Sequence, residues 1–298
     1  MTRYGETRKS LREEGLAPKK QLGQNFLVNK ATAGAVARCG PILPDDIIIE
    51  VGVGLGALTQ PISEQAAHVF GLEVDSGIVR FHKEKDDLPE NVTLLHQDIL
   101  KADFNELQQL SKGPIKIMAN LPYSISNPFL FTLIEHQEKM HWATIMLQKE
   151  VADRLTAKPG TKQYGIPTVL LQSCATIKSL LTLKPAEFHP RPKIDSVVVY
   201  IDFTDSEKIS DRIYDRLLFQ KIVRTAFSQR RKTLLNTLAS GNFFATTTNG
   251  DKKQEKQLTK DTITQTDISP GARAETLTLD QFIDLTQTFS QAIAELQP

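Results

Sequence analysis

Five short apolar runs, each separated from the next by residues with helical spacing, constrain this chain more than any other feature. Ile47-Ile48-Ile49, Val69-Phe70-Gly71-Leu72, Val92-Thr93-Leu94-Leu95, Ile115 to Met118 and Thr144-Ile145-Met146-Leu147 read as strands, with helices between them from Ala31 onward. Strands joined through helices pair in parallel, so the rhythm predicts a doubly wound, Rossmann-like α/β sheet. Runs around 173–183 and 196–203 would complete the sheet as an antiparallel hairpin. After Thr204-Asp205-Ser206, read as a linker, residues 211–238 have helical periodicity and Leu277 to Leu296 reads as a helix pair. The polar stretch 241–272, with Gly250 and Pro270-Gly271, reads as a partly flexible excursion. The expected organisation is a basic N-terminal arm (1–22), an α/β domain (23–204) and a smaller C-terminal helical domain (205–298).

In an open α/β sheet, ligands bind at the carboxyl ends of the strands, and these strands end on suitable residues. The first leads into Glu50-Val51-Gly52-Val53-Gly54-Leu55-Gly56, a glycine-rich turn that admits a ligand close to the backbone. Through Gly52, Gly54 and Ala57 the turn also fits the dinucleotide pattern G-x-G-x-x-G/A, so alone it leaves a nicotinamide or flavin cofactor and S-adenosylmethionine equally open. Glu50 tilts the balance, because a carboxylate just ahead of the glycines can serve the cationic methionine end, directly or through water, and would repel a pyrophosphate. The second strand ends at Glu73 and Asp75, about 20 residues beyond the turn, where an acid for ribose hydroxyls belongs. Asp98, after the third, can accept from an adenine amino group. The fourth closes on Asn120-Leu121-Pro122-Tyr123. Asn120 Oδ1 and a neighbouring carbonyl could accept from the N–H groups of an exocyclic amine, with Tyr123 as a stacking face. Phe188 precedes a proline-rich loop, where a large aromatic is hard to justify as core, and is a candidate for the other face of that base.

In chain order this set resembles the rRNA adenine dimethyltransferases, specifically the bacterial small-subunit, kasugamycin-resistance branch. Gln24-Asn25-Phe26-Leu27, the glycine turn, Glu73, Asp98 and the tetrapeptide resemble the family's cofactor and target-base motifs. Phe188-His189-Pro190-Arg191-Pro192-Lys193-Ile194-Asp195-Ser196 is similar to its F-x-P-x-P-K-V-D-S segment. Ala226-Phe227-Ser228-Gln229-Arg230-Arg231-Lys232 is similar to the branch's A-F-x-Q-R-R-K run, and Arg273-Ala274-Glu275-Thr276-Leu277 to its R-x-E-x-L element. Val53 stands where the family commonly has proline. The resemblance implies a Rossmann-like methyltransferase using S-adenosylmethionine, with Asn25, Leu27, Gly52, Glu73, Asp98 and Asn120 holding the cofactor. It assigns the target base to Asn120, Leu121, Tyr123 and Phe188. The implied reaction places two methyls on each of two adjacent adenosines near the 3′ end of small-subunit (16S) rRNA, in a pre-ribosomal 30S particle, with a part in subunit biogenesis.

With 40% hydrophobic and 24% charged residues, the 298-residue chain has an ordinary globular composition. No run approaches the roughly 20 apolar residues of a membrane span, and no apolar signal core or acid-poor leader opens the sequence, so a cytoplasmic monomer is expected. Cys39 and Cys174 belong to no ligand pattern and the six histidines show no metal spacing, so no metal is expected. The net charge of +1 hides two basic clusters. Residues 1–20 carry an excess of +3, and Lys221, Arg224, Arg230, Arg231 and Lys232 lie in a stretch without an acid, the footprint expected of an RNA-binding surface. The competing readings are a large-subunit adenine methyltransferase of the macrolide-resistance type, a non-catalytic ribosome-assembly factor with a vestigial cofactor site, and a nicotinamide oxidoreductase.

Overall fold

The computed structural model describes residues 18, 23–204 and 215–296. The expected basic arm, apart from Pro18, and most of the expected linker lie outside the described residues. By packing, the described residues form two units, 23–153 with 175–204, and 154–174 with 215–296. The division differs from the contiguous boundary read from sequence, because residues 154–174 cluster with the C-terminal helices.

The strands of the first unit are β1 (Phe26–Leu27), β2 (Ile47–Val51), β3 (His68–Glu73), β4 (Val92–His96), β5 (Ile115–Asn120), β6 (Met140–Gln148), β7 (Thr176–Leu183), β8 (Phe188–His189) and β9 (Ser196–Asp202). Seven of them form one sheet in the order β4-β3-β2-β5-β6-β9-β7. The first five in that order pair in parallel, and β9 pairs antiparallel with β6 and β7, which is the expected hairpin. The strands read as unbroken apolar runs because both faces are covered, and β6 is buried along nearly its whole length, with Trp142 only 1% exposed. A second sheet pairs β1 with β8, an association that no local pattern signals.

Local signals set the helix starts. Asp75, Asp103, Asp215 and Asp251 each precede a helix and accept from the amide two residues on, replacing a bond that the first turn cannot make. In the second unit two expectations fail. Within 241–272 the chain forms a helix, Lys252–Thr264, and Leu277 to Leu296 holds one unbroken helix, Leu279–Glu295, rather than a pair. Both bury threonines: Thr259 and Thr262 in one, Thr286 in the other, with hydroxyls of Thr262 and Thr286 donating to carbonyls four residues back. A hydropathy reading counts these residues as polar and misses the stripe. Glu255, 3% exposed, accepts from Phe244 N at 3.1 Å and Thr248 Oγ1 at 3.3 Å, pinning the preceding loop to the helix.

Gly71 in β3 lies under the glycine turn. A Cβ there would fall 2.5 Å from Cγ2 of Val53, a stiff side chain itself 3% exposed. Gly71→Ala should therefore lower unfolding free energy by about 1–3 kcal/mol, and adding Val53→Ala should restore part of it. Urea titration of the three variants checks this. Strictly additive losses would show that the two side chains do not compete for the space.

Candidate active site

A cleft opens where β2 and β5 lie side by side, the point at which the strand order reverses direction. On leaving β2 the chain turns through Gly52 and Gly54, with φ of 84° and 56°, which residues with a side chain rarely adopt. At Gly52 a Cβ would also lie 3.0 Å from the carbonyl oxygen of Asn120, so the turn and the end of β5 can approach only because that position is bare. Glu73 fixes the turn from the end of β3, with Oε2 accepting from Gly54 N at 3.0 Å and Oε1 from Asp75 N at 2.9 Å. Burial raises its pKa, and the two amide bonds oppose that shift. The ribose acid expected from sequence is thus also the anchor of the glycine turn.

The segment ahead of β1 forms one wall. Gln24 Nε2 donates to Asp75 Oδ2 at 3.0 Å, and Asn25 Nδ2 donates to Gly23 O at 2.9 Å. The Asn25 carbonyl accepts from Asn120 Nδ2 at 3.2 Å. That bond occupies the donor end of the Asn120 amide and leaves Oδ1 as an acceptor, which is the role expected from sequence. Leu27 lines the cleft with its side chain rooted in the core, and Leu121 is 2% exposed, anchoring the tetrapeptide below Asn120.

Asp98 Oδ1 accepts from Leu100 N at 3.0 Å, and Oδ2 has no partner among the described residues, so one oxygen stays available to an amino group. Beside the two acids stand apolar residues that the sequence reading missed. Val74, 45% exposed between Glu73 and Asp75, and Ile99, directly after Asp98, both line the cleft and make part of its wall apolar. The signal was available as an apolar residue immediately after an acid at a strand end.

Three expectations about the cleft need correction. Glu50 does not line the cleft; it is fully buried, and desolvation pushes its pKa up to about 8. Neither of its oxygens nor the buried Thr59 Oγ1 makes a well-formed hydrogen bond, so the nearby hydroxyl offsets only part of that cost. A carboxyl that is neutral at pH 7 cannot repel a pyrophosphate, and the electrostatic reason for preferring S-adenosylmethionine falls away. Phe188 is 1% exposed and packs in the main core, because its strand pairs with Leu27; it does not line the cleft. Tyr123 is half-buried and does not line this cleft either, although Pro122, Ser124 and Ile125 do. Its hydroxyl shares a 2.7 Å hydrogen bond with Ser196 Oγ, which fixes the ring, and burial raises its pKa.

The basic cluster is likewise divided. Lys221 and Arg224 lie on the helix Arg216–Ala226, whereas Arg230, Arg231 and Lys232 lie on the turn after it. Lys221 Nζ sits 4.5 Å over the Phe243 ring. Arg230 donates to the carbonyls of Lys162 and Tyr164 and pairs with Glu275 at 3.1 Å, so it braces the second unit. Arg231 and Lys232 are exposed. Among the described residues no group of three or more His, Cys, Asp or Glu side chains is placed to hold a metal, and no helix is long and apolar enough to cross a membrane.

The Glu50 carboxyl gives a pH prediction. It ionises near 4.5 in the unfolded chain and near about 8 in the folded one, so stability is lost progressively as pH rises between those values. Glu50→Gln stays neutral and escapes that loss. The melting temperature of Glu50→Gln relative to wild type, measured without ligand, should climb from about pH 5 to about pH 8. A difference that does not change with pH would mean Glu50 is ionised in the fold.

The family model of ribosomal RNA adenine dimethylase matches residues 15–288. A protein named ribosomal RNA small subunit methyltransferase A from Desulfotalea psychrophila is 54% identical over 291 residues, covering 98% of each chain. One of the same name from Syntrophus aciditrophicus is 39% identical over 95% of this chain and 98% of its own. Among solved structures, a dimethyladenosine transferase from Plasmodium falciparum superposes with a TM-score of 0.72 at 24% identity, covering 90% of this chain and 98% of its own. The 23S rRNA methyltransferase ErmE superposes with a TM-score of 0.60 at 19% identity, covering 89% and 100%, so both share the fold. With that match along most of its length, the chain belongs to the ribosomal RNA adenine dimethylase family.

Proposed function

We propose that this protein transfers methyl groups from S-adenosylmethionine to N6 of two adjacent adenosines near the 3′ end of small-subunit rRNA, two per base, acting as a cytoplasmic monomer on a pre-ribosomal 30S particle. The observation that carries the reading is Asn120, whose amide nitrogen is held by the Asn25 carbonyl so that Oδ1 is the acceptor, beside a cleft with carboxylates at two neighbouring strand ends. Small-subunit rather than large-subunit rRNA is favoured because the relatives of high identity carry the small-subunit name, whereas the 23S enzyme shares only the fold.

The residues present fit the cofactor: Gly52 and Gly54 line the cleft with backbone free of side chains, and the carboxylates of Glu73 and Asp98 that line it suit a nucleoside. When bound, S-adenosylmethionine supplies an electrophilic methyl on a sulfonium centre. Glu73 would accept from the ribose hydroxyls with its remaining lone pairs, Asp98 Oδ2 from the adenine amine, and Val74 and Ile99 would cover the purine faces. The acceptor base must leave its stack, at a cost of about a few kcal/mol that the surroundings of the tetrapeptide offset. Asn120 Oδ1 accepts from the exocyclic amine, directs its nitrogen at the methyl, and thereby acts chiefly by positioning. No general base is required, since the amine is cationic once it has taken the methyl, and in that form is acidic enough to lose its proton to water.

Asp98→Ala should weaken S-adenosylmethionine binding by about 1–3 kcal/mol in calorimetry, the cost of leaving a buried partner unsatisfied. Asn120→Ala should cut the single-turnover rate on a small-subunit particle by about a hundredfold or more while RNA affinity changes little. A near-normal rate in Asn120→Ala would remove the tetrapeptide from the mechanism.

Replacing Arg231 and Lys232 together by glutamate should lower the slope of log affinity against log salt by roughly one unit for each phosphate that is no longer neutralised. Cofactor affinity should be unaffected. If filter binding gives the wild-type slope, these residues are a solvated surface and the RNA path lies elsewhere.

A further inference from the structure

His82 is 4% exposed on the helix Ser76–Lys85 and has no part in the chemistry described above. Each of its ring nitrogens faces an oxygen that can only accept. Nδ1 lies 2.6 Å from Asp87 Oδ1, and Nε2 lies 2.8 Å from the carbonyl oxygen of Gly54. A neutral imidazole has one N–H, and a carbonyl has no proton to give, so Nε2 must donate. Asp87 Oδ1, 2.6 Å from Nδ1, holds the other end of the ring and fixes its plane. Asp87 is 41% exposed at its side chain, so the chain of bonds through His82 reaches from solvent to the buried floor of the turn.

Gly54 is the residue of the cofactor turn on which these bonds converge. Its N–H donates to Glu73 Oε2, its carbonyl receives His82, its φ is left-handed at 56°, and a Cβ would meet the Phe26 ring at 3.1 Å. Other charged groups near the ring are Glu73, reached through Gly54, and Lys30 and Glu64, which border the same depression as His82 and Asp87. On its own helix are the exposed Arg80–Glu84 pair, Lys83 and Lys85.

We propose that His82, oriented by Asp87, is a positioning residue that sets the glycine turn and, through Gly54, the carboxylate of Glu73 for the cofactor. The role rests on the cleft being the S-adenosylmethionine site. A merely space-filling side chain at this place would need neither the Gly54 bond nor the Asp87 partner. The sequence alone does not reveal it, since His82 and Gly54 are 28 residues apart and neither forms part of a shared motif.

The test uses the full chain with His82→Leu and Asp87→Asn, the second being an exposed position that keeps the test decisive if the first does not fold. Calorimetry should show S-adenosylmethionine binding to His82→Leu about tenfold weaker, with a smaller effect in Asp87→Asn. On small-subunit particles, KM for S-adenosylmethionine should rise more than kcat falls. Histidine nitrogen-15 spectra should show His82 Nε2 protonated in wild type, with the ring signals shifted in Asp87→Asn. Wild-type affinity in both variants, or a His82 ring without a proton on Nε2, overturns the positioning role alone. A wild-type chain that binds no S-adenosylmethionine overturns the cofactor reading and this role with it.

Discussion

The cleft depends on one close approach, that of the turn after β2 to the end of β5. A side chain at Gly52 would stand 3.0 Å from the Asn120 carbonyl oxygen and would have to take a left-handed φ of 84°, so the turn and the end of β5 could not keep this approach without strain. Because β2 to β6 run parallel, Glu73, Asp98 and Asn120 emerge on one edge of the sheet although they are far apart in sequence. The reversal of strand order between β2 and β5 leaves the crevice open there. Gly71 beneath Val53 serves the same end from below, making room for the turn to lie flat on β3.

Most polar groups around this cleft are already committed within the protein. Glu73 holds two amides, Asp98 one, Asp75 caps a helix and receives Gln24, and Asn120 donates to the Asn25 carbonyl. What remains for a ligand is a small set of acceptors with fixed directions, flanked by apolar Val74 and Ile99. A site whose catalysis rests on orientation gains from this arrangement, because the reorganisation is done before the ligand arrives. Glu50 is the exception. Buried, raised to about 8 and without well-formed bonds, it costs stability in the free protein as the pH rises toward that value.

The second unit reaches order by other means. Its helices bury threonines, of which Thr262 and Thr286 turn their hydroxyls back onto carbonyls of the preceding turn, and Glu255 and Arg230 hold neighbouring segments by bonds to backbone groups. A stretch with little apolar character thus becomes structured, because most of these polar atoms are satisfied locally rather than excluded. The basic cluster divides along the same line: the Arg230 charge that braces the unit is distinct from those of Arg231 and Lys232, which face solvent.

Local periodicity and residue chemistry determined the βαβ rhythm, the closing hairpin, the glycine turn and the acids at the strand ends. Each of these is encoded within a few consecutive residues, as an apolar run, a positive-φ glycine or a side chain just after a strand. Only the tertiary structure decided which of the candidates face the cleft. Phe188 became core because β8 pairs with β1, more than 150 residues earlier, a register that no local pattern announces. Glu50 went inward because both faces of β2 are covered, and burial then removed the charge on which its sequence reading relied. Direction and desolvation belong to the folded environment, and a sequence holds them only as long-range contacts not yet made.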